Sequence, residues 1–128
     1  MKYLTREQIL LTHSIIIDET GGAHGLRDSA ALFALVELPK QSAFGKEFYP
    51  TLFLKAAVYA RNIISAHPFI DGNKRTAMTT AGVFLENNGF RVIAMEGEIE
   101  RFAREIIRTK MDLLAIAAWL KKHSRKGK

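Results

Sequence analysis

A long run of uncharged residues from Thr76 to Leu85 limits the possible folds more than any other feature of this sequence. Residues 73–88 suit a helix throughout, and Gly89 is a residue type that commonly ends one. Because the run lacks charge, such a helix carries apolar or small side chains on every side. A helix of that kind has to be surrounded by other elements, so the run predicts the centre of a helical bundle.

Segments on both sides of this run have the periodicity of further helices. The helices predicted from apolar spacing, capping residues and breakers run from Thr5 to the glycines at 21 and 22, and over 30–37, 50–66, 73–88, 96–110 and 113–120. Residues 90–94 favour an extended conformation but are too isolated to form a sheet alone. We therefore predict an all-α fold, a compact single-domain bundle of about six helices with a short extended piece after the central helix.

Length and composition limit the class of protein. A chain of 128 residues suits one domain, and 48% hydrophobic with 25% charged residues is typical of soluble globular proteins. The absence of cysteine excludes a disulfide framework and thiolate metal sites. No apolar run approaches the roughly 18 residues of a membrane span, and the first residues do not resemble a signal peptide. We expect a cytoplasmic protein that makes no membrane contact.

The net charge of +6 suggests an acidic partner. Part of the excess lies in residues 121–128, which we expect to be a frayed basic tail after a domain that covers residues 3–120. Direct nucleic-acid binding is not expected from charge alone, and an acidic protein partner fits equally well. A basic binding module without enzyme activity is kept as an alternative.

The residues just before the uncharged run carry several functional groups: His67-Pro68-Phe69-Ile70-Asp71-Gly72-Asn73-Lys74-Arg75. Pro68 should end any helix that arrives from upstream, and a new helix should begin near Gly72. The first backbone N–H groups of that helix have no intrahelical acceptor, and Lys74 and Arg75 add positive charge there. This combination predicts a binding site for an anion such as phosphate.

We assign hypothetical roles to the side chains of this segment. His67 is a candidate general base, because an imidazole is largely neutral at pH 7. Asp71 could cap the new helix in part and could hold magnesium beside phosphates. Phe69 is expected to be a packing anchor. The predicted phosphate-binding residues are Gly72, whose lack of a side chain lets a ligand approach, together with Asn73, Lys74 and Arg75.

HPFIDGNKR resembles the signature of the Fic/Doc family, H-x-F-x-(D/E)-G-N-(G/K)-R, and its lysine is similar to the death-on-curing (Doc) toxin branch. The segments GGAHGLRD at 21–28, FG at 44–45, YPT at 49–51 and FLENNG at 84–89 are also similar to that branch. The resemblance implies a magnesium-dependent kinase that transfers the γ-phosphate of ATP to a threonine of elongation factor Tu. It also implies translation arrest and a separate, cognate antitoxin, which we expect to be acidic.

AMP transfer is the alternative reaction within the family. AMP-transferring Fic enzymes share H-x-F-x-(D/E)-G-N-G-R-x-x-R, and this chain has Lys74 and Met78 in place of the second glycine and the last arginine. Phosphoryl transfer is therefore favoured. The resemblance also implies a target-docking flap that includes Phe44, Gly45, Phe48 and Tyr49, although these aromatic side chains could instead fill the core.

Other polar residues have simpler expected roles. His24 is expected to be a loop residue without direct chemistry. The hydroxyls of Thr76, Thr79 and Thr80 are expected to donate to backbone carbonyls one turn earlier.

Overall fold

The computed structural model describes residues 1–95 and 97–127. The helices are α1 (Arg6–Thr20), α2 (Ser29–Glu37), α3 (Leu52–Ala66), α4 (Asn73–Asn87), α5 (Glu98–Thr109) and α6 (Leu113–Lys122). The strands are β1 (Ser42–Ala43), β2 (Lys46–Glu47), β3 (Phe90–Val92) and β4 (Ser124–Lys126). The predicted all-α bundle of six helices is confirmed, and within the described residues the strands form only two short antiparallel pairs.

Short polar side chains begin four of the helices. Thr5 forms the predicted capping box with Gln8 at the start of α1, and Asp28 and Asp112 cap α2 and α6. The start predicted for α3 at Pro50 is two residues early, because Thr51 caps this helix and Leu52 is its first residue. The predicted start of α5 at residue 96 lies outside the described residues.

α4 occupies the centre of the bundle, as its uncharged sequence predicts. It packs against α3 over most of its length and is flanked by α1 and α5. Ala77, Ala81 and Phe84 are fully buried on it. The back-bonding predicted for Thr76 and Thr80 is wrong, because both buried hydroxyls lack a hydrogen-bond partner among the described residues. None of the described helices has the length and apolarity needed to cross a bilayer.

The C-terminal segment differs from its prediction. α6 extends through Lys122, and β4 pairs with β3 in an antiparallel register that places Arg91 opposite Arg125. The amide of Gly127 donates to the carbonyl of Gly89 at 2.7 Å, which continues this pairing. The prediction of a frayed tail over residues 121–128 is therefore wrong up to residue 127, and residue 128 lies outside the described residues. The extended piece at 90–92 is not isolated, because the chain end supplies its partner strand.

A short hairpin lies between α2 and α3. α2 continues into a 3-10 turn at Leu38–Lys40, and β1 and β2 then pair as an antiparallel hairpin. Lys55 of α3 ties this hairpin to the bundle, because its buried ammonium donates to Glu47 at 2.7 Å and to the Pro39 carbonyl at 3.0 Å.

The ammonium of Lys55 stays charged despite complete burial of the side chain. Burial by itself would lower the pKa of Lys55, but the hydrogen bond to Glu47 and the contact with Tyr3 outweigh it and raise the pKa above its ordinary value. The ammonium also lies 5.5 Å from the centre of the Tyr3 ring. The hairpin is thus held by a charge in the core of the protein.

Candidate active site

The loop between α3 and α4, residues 67–72, is called the motif loop below. α3 ends at Ala66, and His67 follows in a left-handed conformation with φ 48° and ψ 60°. Pro68 does take His67 out of the right-handed helical region, as predicted. A non-glycine residue held in a sparsely populated backbone region costs on the order of 1–3 kcal/mol, so surrounding contacts must stabilise His67 there.

Arg27 makes two of those contacts. Its Nε donates to the carbonyl of His67 at 2.6 Å, and its Nη2 donates to the carbonyl of Ala66 at 2.5 Å. Both carbonyls lie at the C-terminal end of α3, where a cation is favoured and where acceptors lack intrahelical donors. The guanidinium therefore caps α3 and holds the backbone of His67.

The glycine-rich loop, residues 21–28, lies along the motif loop and binds it through the backbone. The carbonyl of Pro68 accepts from the amides of Arg27 and Asp28, at 2.8 and 3.1 Å. The carbonyl of Gly25 accepts from the amide of Ile70 at 3.1 Å. The two loops thus form one unit, although the sequence separates them by more than the length of α3.

Asp71 does not cap α4, and that prediction is wrong. The cap position is Gly72, and no side chain accepts from the first turn of the helix within the described residues. The Oδ2 atom of Asp71 instead accepts from the amide of Ala23 in the glycine-rich loop at 2.9 Å. The Asp71 side chain is exposed, so its other oxygen faces solvent or a ligand.

His13, a buried histidine of α1, contacts the motif loop through a hydrogen bond and an aromatic stack. The Nε2 atom of His13 lies 2.8 Å from the Asp71 carbonyl, to which it donates. The His13 ring stacks on Phe69, with centroids 3.8 Å apart and planes 6° from parallel. Phe69 is fully buried, which confirms it as the packing anchor of the loop.

The packing of the core gives Gly72 a role that the sequence does not predict. Its φ of 75° is left-handed, and a Cβ built on it would lie 3.0 Å from the Cδ1 atom of Ile17 in α1. The missing side chain thus makes room for the protein core. The side chain of Asn73 binds the backbone of the motif loop. Its Oδ1 accepts from the Phe69 amide at 3.1 Å, and its Nδ2 donates to the Phe69 carbonyl at 2.9 Å.

The N-terminal turn of α4 is open to an anion. Within residues 1–95 and 97–127, the backbone amides of Asn73, Lys74 and Arg75 donate to no side chain or loop carbonyl. The side chains of Lys74 and Arg75 are exposed at the same turn. Free N–H groups at the positive end of a helix, with two cations beside them, are suited to bind phosphate groups.

Two clefts meet at this turn. The His67 cleft has a volume of about 1000 Å³ and includes, among others, Arg61, His67, Ile70, Asp71, Gly72, Asn73, Lys74, Ile106 and Lys110. The Arg75 cleft, of about 610 Å³, includes Glu19, Thr20, Gly72, Asn73, Lys74, Arg75, Met78, Glu100 and Arg104. The structure thus brings four predicted site residues, Asp71, Gly72, Asn73 and Lys74, to one cleft with His67. Arg75 instead lines the other cleft and donates to the Thr20 hydroxyl at 3.2 Å.

The predicted flap residues lie on or beside the hairpin. Phe44 and Gly45 form its turn, with the Phe44 side chain fully exposed, and Phe48 follows β2 with 55% of its surface exposed. Tyr49 is half-buried and packs edge-to-face against Phe48, with ring centroids 6.5 Å apart. None of these four residues lines either cleft at the α4 terminus. The exposed Phe44 and Phe48 do not fill the core.

The donor set at the motif loop fits magnesium only together with phosphate. Among the described residues no group of three or more histidine, aspartate or glutamate side chains could hold a metal ion. Asp71 offers one exposed carboxylate beside the anion site, and Mg²⁺ is usually bound by one or two carboxylates plus substrate phosphates and water. Asp71 could therefore contribute one ligand to a magnesium ion that a nucleotide brings with it.

Two residues of the site were missed by the sequence analysis. His13 could have been found, because it lies one helical turn from both Ile9 and Ile17 on the buried face of α1, where a polar side chain needs a partner. No comparable pattern in the sequence indicates a role for Arg27, which lies in a loop. His24, which is exposed, pairs with Asp18 at 2.8 Å. Among the described residues it makes no hydrogen bond or ion pair with the motif loop, which fits a role as a loop residue.

Comparisons with known proteins agree with this architecture. A model of the Fic/DOC family matches residues 3–85. The chain is 36% identical over 122 residues to a protein named Toxin Doc from Mycolicibacterium smegmatis, covering 93% of this chain and 91% of that protein. It is 32% identical over 92 residues to a protein named Protein kinase doc from Escherichia phage P1, covering 72% of each. The family match includes the motif loop and the whole of α3. The chain therefore belongs to the Fic/Doc family, on its Doc branch.

Proposed function

We propose that this protein is the toxin of a toxin–antitoxin pair and transfers the γ-phosphoryl group of ATP to a serine or threonine hydroxyl of a protein target. A translation factor similar to elongation factor Tu is the target we propose, with translation arrest as the consequence. The names of the two relatives, a toxin and a protein kinase, support this proposal.

One structural observation carries the proposal. The exposed His67 and the open N-terminal turn of α4 line the same cleft, so that a base and an anion site face one space. The alternative is that this segment is only a turn that caps a helix and exposes its charges. Such a turn would not require the left-handed conformation of His67, nor would it leave backbone amides without acceptors. Positioning and electrostatic stabilisation of phosphate charge are the main contributions that proteins make to phosphoryl transfer.

The roles of the residues follow from this arrangement. His67 accepts the proton of the target hydroxyl while that oxygen bonds to the γ-phosphorus and the bond to the β–γ bridging oxygen breaks, which releases ADP. The amides of residues 72–75 and the Lys74 side chain bind the phosphate oxygens. Asp71 would contribute a carboxylate to magnesium, whose charge offsets that of the phosphates. Arg75, which lines the neighbouring cleft, would reach only phosphates that extend there.

Lys74 and Met78 favour phosphoryl transfer over AMP transfer. The side chain of Met78 is nearly buried and uncharged, so position 78 offers no cation to a phosphate. Lys74 occupies the exposed turn at which AMP-transferring relatives have the second glycine of their motif. AMP transfer is therefore the second candidate reaction.

The partner that restrains the toxin is proposed to be a separate, acidic antitoxin. The net charge of +6 would attract such a partner. Co-expression with the candidate antitoxin should restore the growth of cells that produce this chain, and toxicity that the antitoxin does not relieve would contradict this pairing.

Mass spectrometry of protein targets incubated with the chain and magnesium-ATP tests the reaction. We expect an adduct of about 80 Da, whereas AMP transfer adds about 329 Da. The variant His67→Asn keeps a side chain that tolerates a left-handed backbone but removes the base, and it should lower turnover by about two to four orders of magnitude. An unchanged rate for His67→Asn, or an AMP adduct, would contradict the proposal. Salt-sensitive nucleic-acid binding that survives this substitution would support the non-enzymatic alternative instead.

A further inference from the structure

We propose that the motif loop is positioned separately at its two ends by residues outside the motif. Arg27 fixes the backbone that carries His67, and His13 fixes the turn from which α4 begins. The inference rests on the proposed function, in which His67 handles the proton and the α4 terminus binds phosphates. Both are positioning residues, because each acts through the loop and not on the substrate.

The Arg27 end controls where the imidazole points. A single planar guanidinium donates to the carbonyls of both Ala66 and His67, at 2.5 and 2.6 Å. The backbone of Arg27 is held independently, because its amide donates to the Pro68 carbonyl at 2.8 Å. Changing only the side chain of Arg27 should therefore release the His67 backbone while the two loops stay paired.

The His13 end controls where an N–H group of the anion site points. The carbonyl of Asp71 and the amide N–H of Gly72 belong to one planar peptide group and point in opposite directions. His13 donates to that carbonyl at 2.8 Å, and its ring is fixed by the parallel stack on Phe69. Holding the carbonyl towards α1 therefore turns the Gly72 N–H away from α1, at the start of the phosphate site.

His13 is well placed to keep this orientation. Its side chain is only 3% exposed, so water cannot readily replace it as the donor to the Asp71 carbonyl. Its Nε2 and Cδ2 atoms also lie 3.9 Å from the position that a Cβ on Gly72 would occupy, so the ring lies close to Gly72 as well. Loss of this donor should disturb phosphate binding before it disturbs the proton transfer.

The two ends therefore predict different kinetic effects. The variant Arg27→Gln should lower kcat by about ten- to a hundredfold with KM for magnesium-ATP within about twofold, because it misplaces the base. The variant His13→Phe keeps the aromatic stack and removes the donor, and it should raise KM by about five- to tenfold with a smaller change in kcat. Arg27→Lys and His13→Gln, which keep a donor, should recover part of each loss. The control is His24→Ala, which changes an exposed histidine of the glycine-rich loop that also contains Arg27. Its kcat and KM should match those of the wild type.

NMR of the protein without nucleotide provides a test that does not depend on turnover. His13→Phe should shift the amide signals of Gly72 and its neighbours and leave the imidazole signals of His67 nearly unchanged, whereas Arg27→Gln should do the reverse. If both variants shift both sets of signals equally, or shift neither, the two ends are not positioned separately. If the wild type modifies no target, the proposed function fails, and these spectra still decide the positioning roles.

Discussion

His67 and Gly72 both have left-handed backbone conformations, and each has its own cause. His67 ends α3 directly before a proline, and the Arg27 guanidinium stabilises its carbonyl. Gly72 is a glycine, for which a left-handed backbone has no steric cost, and a Cβ at this position would lie 3.0 Å from the Cδ1 atom of Ile17. At the scale of single residues, the geometry of the motif loop is thus imposed by neighbours that belong to α1 and the glycine-rich loop.

The variant Gly72→Ala should destabilise the protein by about 1–3 kcal/mol, because it adds a Cβ both to a left-handed residue and against the core. Gly89→Ala is the matched control, since Gly89 has a φ of 93° but no atom within 4 Å of a built Cβ. The control should cost about 1–2 kcal/mol from the backbone alone, and Gly72→Ala should cost more than the control. Urea unfolding measures both free energies, and equal losses would mean that the contact with Ile17 is unimportant.

At the scale of elements, the hairpin depends on a charge that the helix beneath it supplies. β1 and β2 have two residues each, too few to be stable alone. The buried Lys55 binds both the Glu47 carboxylate in β2 and the carbonyl of Pro39 before the hairpin. The exposed aromatic residues of the predicted flap are therefore positioned by α3, the same helix that leads to His67.

Removal of the Glu47 carboxylate should free the hairpin. The variant Glu47→Ala leaves the Lys55 ammonium buried without its counter-charge and should cost about 1–3 kcal/mol, less than for a fully buried pair because half of the Glu47 side chain is exposed. Hydrogen exchange of the Phe48 amide, which donates to the Gln41 carbonyl, should accelerate in parallel. Glu37→Ala breaks an exposed pair with Lys40 and is the control. Unchanged exchange in Glu47→Ala would contradict this role of the ion pair.

At the scale of the whole molecule, the last strand, β4, packs onto the bundle by pairing with β3. β3 follows α4 directly, and β4 pairs with it. The ring of Trp119 in α6 stacks between the rings of Phe102 and His123. α4, which begins at the site, is thus followed by a strand whose partner comes from the last residues of the structure. The expectation of a frayed tail placed these residues outside the fold.

A chain shortened after His123 tests that contribution. It loses the backbone pairing of β4 and should be less stable by about 1–2 kcal/mol, whereas a frayed tail would contribute nothing. The control is the full chain with Arg125→Gln and Lys126→Gln, which loses charge but keeps the strand and should change by less than about 0.5 kcal/mol. Thermal and urea unfolding compare them, and equal stability of the shortened and full chains would contradict a structural role for β4.

The sequence by itself determined the helices, the caps of three of them and the family. Thr5, Asp28 and Asp112 cap the helices that their positions predict, because capping and apolar periodicity act within a few residues. The motif also predicted an α4 terminus open to an anion, since Pro68 and the following glycine act on the local backbone. The residues of the proposed site therefore come from one short segment of the sequence.

Only the tertiary structure decided what holds that segment in place. The contacts of His13 with Asp71, of Asp71 with Ala23 and of Arg27 with His67 join residues 58, 48 and 40 positions apart. The pairing of β3 with β4 likewise joins segments on either side of α5 and α6. No local preference specifies such pairs, because each depends on how the helices pack and on which polar groups then lack a partner. The sequence therefore identifies the groups that we propose to react, and the packing of α1 and the glycine-rich loop against α3 and α4 sets their geometry.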